Sequence, residues 1–211
     1  MIPSMILTTE NPIVANLITG VDRDVAAWFH LRLTQTFASI LQAMSEPGSD
    51  EWIGIVSFAA LLFLSWKRRW HALLVFMLTV PCGALVNEGL KLLVHRHRPF
   101  VAGPFVDWTG YSFPSGHTIG ATLLYGLCAV VAASNLKAGY WRALTGVGAA
   151  LLVLGVAFSR VALGAHYVSD VLAAMVFGMI WIAFSWNTAE RIRRSRERSV
   201  SGMETQSARA C

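Results

Sequence analysis

Apolar runs separated by short polar stretches dominate this chain. Residues 52–66 form one such run, bounded by Trp52 and Trp66. Residues 70–94 form a second, from Trp70 to Val94, with a bend expected at Pro81. Three more cover residues 117–134, 141–158 and 167–186. Uniformly apolar runs of roughly 20 residues predict helices that cross a bilayer. The punctuation is equally legible. Residues 45–51 hold Pro47, Gly48, Asp50 and Glu51 and read as a short acidic loop, while Lys67-Arg68-Arg69 reads as a tight basic one. Residues 95–116 form a polar connection, Asn135 to Tyr140 a loop carrying Lys137, and residues 159–166 another loop. Residues 22–44 open with Asp22-Arg23-Asp24 and continue as an apolar stretch interrupted by His30, Arg32 and Gln35. That pattern predicts a helix, either crossing the membrane or lying in its interface, since a central arginine costs about 2.5–3.5 kcal/mol on insertion. The first twenty residues carry no readable pattern. Gly146, Gly148 and Gly155 suit close helix packing in lipid, and tryptophans at run ends suit the membrane interface.

Composition narrows this to an all-α polytopic membrane bundle. Of 211 residues, 55% are hydrophobic and 14% charged, against about a quarter charged in a soluble domain. One domain over 1–211 is expected, with a core at 52–186 and a basic tail at 187–211. The net charge of +5 does not point to nucleic acid, because the basic residues sit between and after the apolar runs. The tail arginines Arg191, Arg193, Arg194, Arg196 and Arg198 read as a positive-inside stop after the last span, in preference to a site for anionic head groups. Cys82 and Cys128 lie inside apolar runs and Cys211 at the end, so no disulfide framework is expected. The first strongly apolar run begins beyond residue 50, which gives no cleavable signal pattern.

Three polar stretches at run ends carry the chemistry. Ser159-Arg160 is followed by His166 and, four residues later, Asp170. If a helix starts near His166, the two share a face; the carboxylate then takes the proton of one imidazole nitrogen and leaves the other free to attack. Arg160 is a permanent planar cation suited to phosphate. Taken alone, the same stretch also fits a surface arginine and a helix-start pair. Lys91 precedes Arg98-Pro99 by seven residues, two helical turns, and Pro99 should end that helix near Arg98. Pro114-Ser115-Gly116-His117 stands directly before an apolar run, where glycine and helix-start amides favour an anion.

Lys-six residues-Arg-Pro, Pro-Ser-Gly-His, and Ser-Arg-five residues-His-three residues-Asp occur here in that order without substitution. The ordered set resembles the phosphatidic acid phosphatase type 2 family, whose site is shared by vanadium haloperoxidases and some bacterial acid phosphatases. The resemblance covers roughly residues 52 to 186. It implies six transmembrane helices, the first over residues 22–44. It implies that His166 attacks phosphorus to form a phosphohistidine, that Asp170 orients it, and that His117 protonates the leaving oxygen and then helps activate water. Lys91, Arg98 and Arg160 would hold the non-bridging oxygens, with Ser115 and the amides near Gly116 adding hydrogen bonds. No metal or other cofactor is required, because cationic side chains take that role. Arg96 has no motif role and could touch substrate. Glu88, one turn before Lys91, reads either as its local charge partner or as a support behind the site residues. His95 and His97 are a weak metal pair and read better as surface polarity, and His30 and His71 as interface or packing histidines.

Two crossings separate the second block from the third, so all three blocks face one side. The basic loops and tail face the other, which places the tail in the cytoplasm and the site outside a cell membrane. The expected activity is hydrolysis of a lipid phosphate or diphosphate: undecaprenyl diphosphate, phosphatidate, phosphatidylglycerophosphate or a lipid A phosphate. A haloperoxidase, or a transporter or scaffold without catalysis, is the alternative. Head-group selectivity is expected from the 100–113 loop and from lateral openings between spans.

Overall fold

The structure, a computed structural model, describes residues 12–100 and 108–210. Residues 101–107, which include Asp107 and most of the loop expected to contact a head group, lie outside the described residues, as do 1–11 and Cys211. Seven α-helices and one 3₁₀ turn follow in order: α1 (Pro12–His30), α2 (Gln35–Ser45), the turn (Glu46–Gly48), α3 (Asp50–Trp66), α4 (Trp70–Val94), α5 (Gly116–Asn135), α6 (Gly139–Ala162) and α7 (Val168–Ala210). No strand occurs among the described residues.

Among the described residues, five stretches are long and apolar enough to cross a membrane: Gln35–Trp66, Trp70–Val94, Gly116–Ala133, Gly139–Ala162 and Val168–Ser195. Their outer faces confirm the environment. Leu144, Val147, Leu151 and Leu154 recur on one face of α6 and are all more than half exposed, as are Ile55, Phe58 and Leu62 on α3. Apolar stripes of this size are stable against lipid rather than water. Trp66, Trp70, Tyr140 and Trp141 are exposed together at the end of the bundle where Lys67–Arg69 and Lys137 lie, and Lys67 Nζ stands 4.4 Å from the Trp66 ring.

The core forms around α5. Ile119, Leu123, Leu124 and Leu127 pack against Val75, Phe76 and Val80 of α4 and against Ala174, Ile182 and Ala189 of α7. The close helix contacts are made at Gly83, Gly126 and Gly178; a Cβ on any of them would meet a neighbouring side chain within 2.8 Å. Gly146 and Gly148, expected to serve that purpose, have nothing within 4 Å of an added Cβ. Gly146 instead forms part of the wall of a groove between α5, α6 and α7.

The segment 22–44, expected as one crossing helix, is two helices. The chain breaks at residues 31–34, and Thr34 caps α2 by accepting the Phe37 N–H at 3.3 Å. α1 carries Asp22, Arg23 and Asp24 within its length, too many charges for a lipid-embedded span. It lies instead at one end of the bundle. Val25 and Phe29 pack on Ala157, Val161 and Val171, and His30 stacks on Phe100 with ring centroids 3.9 Å apart. α2 buries Ala38 and Leu41 against Ala162 and Leu163, at the same end.

The acidic loop expected at 45–51 is a packed element. Its 3₁₀ turn presses on α5 and α6: a Cβ on Gly48 would stand 2.6 Å from Val156 Cγ1 and 2.8 Å from the His117 carbonyl oxygen. The Tyr125 hydroxyl donates to the Pro47 carbonyl at 2.8 Å and accepts from Trp52 Nε1 at 3.0 Å. Two further boundaries move. α6 runs to Ala162, so Arg160 stands on its last helical turn and not in a loop, and α7 continues as helix through the basic tail to Ala210.

Gly48→Val should lower the thermal midpoint in detergent, because backbone of α5 blocks the added methyl groups; the cost is about 1–3 kcal/mol. Gly146→Val, in open space, serves as the control, and equal effects from the two would refute this packing.

Candidate active site

All three motif blocks meet at one end of the bundle, where α4 and α6 end and α3, α5 and α7 begin. Ser115 caps α5: its hydroxyl accepts the Thr118 N–H at 3.5 Å and the Thr118 hydroxyl at 3.0 Å, and its own N–H donates to the Asp170 carbonyl at 3.5 Å. The amides of the first helical turn have no intrahelical acceptor, and the helix dipole is positive there. Gly116 keeps this end open. A Cβ on it would lie 3.3 Å from Lys91 Nζ. The helix start therefore faces the ammonium directly.

The cations reach this point from three directions. Lys91 stands on the last turns of α4, its Nζ paired with Glu88 Oε1 at 2.7 Å, as the one-turn spacing suggested. Arg98 does not continue the helix as expected. α4 stops at Val94, with His95 in the left-handed region as its cap (φ 52°). Arg98 comes in from the connection: its Nε donates to the Thr109 carbonyl at 3.0 Å, and its Nη1 to the Ala165 carbonyl at 3.1 Å. Burial lowers its pKa from the usual arginine value, while Asp170 opposes the shift. Arg160 is buried, donates from Nη1 to Ser45 Oγ at 3.1 Å, and stacks 4.4 Å from the Trp108 ring centroid. Its Nε is buried with no hydrogen-bond partner. His117, in the first turn of α5, lies in the field of Arg160, His166, Arg98 and Lys91 together.

His166 and Asp170 come together by a different route from the one the spacing suggests. α7 starts at Val168, so His166 precedes the helix. Its Nδ1 lies 2.6 Å from the Ser112 carbonyl oxygen and 3.8 Å from Asp170 Oδ2. A carbonyl only accepts, so Nδ1 carries the proton and donates it to Ser112. Nε2 is then unprotonated and stands 3.4 Å from Arg98 Nη1. Burial is the main cause that lowers the imidazole pKa to about 4; the Arg160 and Arg98 charges add to it and Asp170 works against it. His166 is therefore neutral near pH 7, with a lone pair aimed at the cations.

Asp170 has no exposed surface. Its Oδ2 accepts the Ser112 hydroxyl and, at 2.9 Å, the Tyr167 N–H, the back-bond of a helix capping box. Its Oδ1 accepts from Arg96 Nη1. Arg96, which has no role in the motif, does not face the cation cluster. Its Nη2 donates to Asp22 Oδ2 at 2.8 Å, its Nη1 also reaches Ser169 Oγ at 2.7 Å, and its guanidinium covers the Tyr167 ring at 4.3 Å. Burial works against the Arg96 charge, but Asp22 and Asp170 more than offset it and hold its pKa above the usual value. Asp22, 2% exposed, also accepts the Ser169 N–H at 3.0 Å and so ties α1 to the start of α7.

Sequence reasoning passed over Ser112, Asp22, Ser45 and Trp108. The shortest contact of His166 to Ser112 is to its carbonyl, which leaves no side-chain signature; the Ser112 hydroxyl lies 3.4 Å from Nδ1. Asp22 sits in a charged triplet that reads as a helix start. His95 and His97 are both exposed, and the His95 ring meets Tyr111 edge-on at 4.5 Å. Among the described residues no group of three or more His, Cys, Asp or Glu could hold a metal ion.

A family model described as the PAP2 superfamily matches residues 70–194. Phosphatidylglycerophosphatase B of Bacillus subtilis (strain 168) is 31% identical over 145 residues, covering 68% of this chain and 70% of that protein. The crystal structure of a transmembrane PAP2 type phosphatidylglycerolphosphate phosphatase from Bacillus subtilis superposes with a TM-score of 0.71 at 24% identity, covering 84% of this chain and 88% of that one. Aquifex aeolicus LpxE superposes with a TM-score of 0.57 at 20% identity, covering 79% and 94%. At these identities the two structures establish the shared helical fold.

The His166 environment sets a pH dependence of stability. In the folded chain the imidazole takes a proton only near pH 4; unfolded, it does so near 6.5. Between those values the unfolded state binds more protons, so stability is lost as pH falls from about 6.5 toward 4. The thermal midpoint in detergent should decline over that window, and His166→Gln should flatten part of the decline. An equally steep decline in the variant would contradict the buried, neutral imidazole.

Proposed function

Because the chain belongs to the PAP2 superfamily, we propose that it is a membrane-embedded phosphatase that hydrolyses the phosphate ester of a lipid at the cation-lined end of its bundle. One observation carries the reading. Nε2 of His166, unprotonated because Nδ1 donates to Ser112, stands 3.4 Å from the Arg98 guanidinium. A nucleophile and an anion-binding group therefore share one small space.

The reaction follows from that placement. Lys91, Arg98 and Arg160 neutralise the non-bridging oxygens, and the open amides of α5 add hydrogen bonds. Nε2 forms a bond to phosphorus as the bond from phosphorus to the lipid oxygen breaks. His117, protonated once the bound phosphate dianion offsets the surrounding cations, gives its proton to that oxygen, and the lipid alcohol departs. The imidazole becomes cationic on phosphorylation, and Asp170, 3.8 Å from Nδ1, stabilises the charge. Water then attacks the phosphohistidine, His117 takes its proton, and inorganic phosphate leaves with His166 restored. Phosphoryl transfer depends mainly on positioning and charge stabilisation.

The substrate is a lipid because of where the site opens. A groove of about 550 Å³ between α3, α4 and α5 reaches from Glu88 and Gly116, beside Lys91, down to Val80, Pro81 and Leu85. An amphipathic molecule can place its phosphate among the cations while its chain stays in the bilayer. The similarity to a phosphatidylglycerophosphatase favours a glycerophospholipid phosphate over a polyprenyl diphosphate or a lipid A phosphate. Lys67–Arg69, Lys137, Arg142 and the arginines of α7 lie at the far end of the bundle from the site. By the positive-inside rule, that end faces the cytoplasm of a cell membrane and the site faces outward.

Sidedness is tested with single cysteines in a background where Cys82, Cys128 and Cys211 are replaced. An impermeant thiol reagent on intact cells should label Thr109→Cys and spare Lys67→Cys; the reverse pattern would invert the topology.

The two histidines are separated by rapid-quench labelling with a radiolabelled aryl phosphate. His117→Ala should accumulate acid-labile phosphoenzyme, because breakdown of the intermediate slows. It should lose about 10²–10⁴-fold in turnover of a lipid ester, whose alkoxide needs a proton, and less with the aryl phosphate. His166→Ala should show no label and no turnover. Label on His166→Ala protein would exclude His166 as the nucleophile.

A further inference from the structure

Two polar atoms in the α3–α4–α5 groove are buried with no hydrogen-bond partner: Asn87 Oδ1 and Ser57 Oγ. Asn87 is 2% exposed. An unsatisfied buried polar group costs about 1–3 kcal/mol, so two along one groove call for a ligand that satisfies them. Ser57 is unusual here even among mid-helix hydroxyls. Thr79, Thr122 and Thr145 each donate to the carbonyl one turn back, at 2.8, 2.7 and 2.6 Å, whereas Ser57 Oγ makes no such bond. Asn87 is also close to the reacting centre. It precedes Lys91 by one turn on α4, and a Cβ on Gly116 would lie 3.9 Å from Asn87 Nδ2 and 3.3 Å from Lys91 Nζ. Its amide therefore lies beside the ammonium at the start of α5, one turn deeper into the membrane.

We propose that Asn87 and Ser57 form a polar subsite for the first atoms of the lipid beyond the scissile phosphate, and that it selects phosphate esters of a glycerol unit. A glycerol carbon next to the phosphoester bears a hydroxyl or an ester oxygen. A hydroxyl can donate to Asn87 Oδ1, and either oxygen can accept from Ser57. The carbons next to the phosphate of an alkyl or polyprenyl phosphate bear only hydrogen and carbon. They would leave both protein atoms unpaired, the situation in which a site built for a polar group rejects its apolar analogue.

The inference rests on the phosphatase reading above. The purified full-length protein in detergent is given three substrates of matched apolar length: a monoacylglycerol phosphate, an alkyl phosphate and a prenyl phosphate. kcat/KM for the glycerol ester should exceed that for the alkyl ester by about tenfold or more. Asn87→Leu, close in volume and without hydrogen-bonding atoms, should reduce that ratio about tenfold, and Ser57→Ala should reduce it in the same direction. Should Asn87→Leu fail to fold, Asn87→Ser and Ser57→Ala carry the test. A wild-type ratio near one, or variants that lower both substrates in proportion and keep the ratio, would overturn the subsite while leaving the phosphatase intact. Release of phosphate from none of the three would overturn the phosphatase reading and the subsite with it.

Discussion

A carboxylate with no access to solvent must be compensated by the protein, and much of this molecule is arranged around that requirement at Asp170. One of its oxygens takes the Ser112 hydroxyl and the Tyr167 N–H, and the other takes the Arg96 guanidinium. Arg96 is held in turn by Asp22. The loop before α5, the connection after α4, the start of α7 and helix α1 are thereby joined through polar contacts where no apolar core could reach. Removing one partner of such an arrangement leaves a buried charge uncompensated, which is far more costly than losing an exposed pair. His166 inherits its orientation from the same loop, through the Ser112 carbonyl.

The bilayer explains why this polar assembly lies at one end. Within hydrocarbon every backbone group must be satisfied inside its own helix, so irregular backbone and charge are confined to helix ends. Helices α3 to α7 supply apolar outer faces and an interior formed around α5. Helices α1 and α2 cover the end where the cations gather. Their packing is specific: Phe29 and Val25 on α6 and α7, Leu41 on Ala162 and Leu163, Gly48 against the backbone of α5. Ser45, at the end of α2, then holds the buried Arg160, so this cover contributes directly to the placement of that cation.

In the proposed reaction the cation-lined end and the apolar groove divide the work of recognition. Three cations and the start of a helix would bind any phosphate, with little regard for what carries it. Discrimination has to come from below, where the groove between α3, α4 and α5 begins beside Lys91 and Gly116. Asn87 and Ser57 place unpaired polar atoms there, the feature on which the proposed glycerol subsite rests.

Hydropathy alone delimited three membrane helices closely: residues 70–94 form α4 as read, and 52–66 and 117–134 fall within two residues of α3 and α5, whereas α6 and α7 run past their expected ends. Such runs are local consequences of burial in lipid. The spacing of Lys91, Arg98, Ser115, His117, Arg160, His166 and Asp170 was also visible, and the helix ends bring them to one place. What the sequence could not reveal was how they are held. The expected helical face shared by His166 and Asp170 gave way to a backbone acceptor 54 residues away, and Arg96 found Asp22 at a separation of 74 and not a substrate. Asp22 itself looked like a helix-start charge. The apolar stretch 22–44 was divided because a charged helix cannot remain in hydrocarbon once the bundle offers Arg96 and Ser169 at its end. Pairings over such distances depend on where the helices stop and how they pack. Only the assembled bundle fixes those, whereas the order of apolar runs and motif residues is written in the chain.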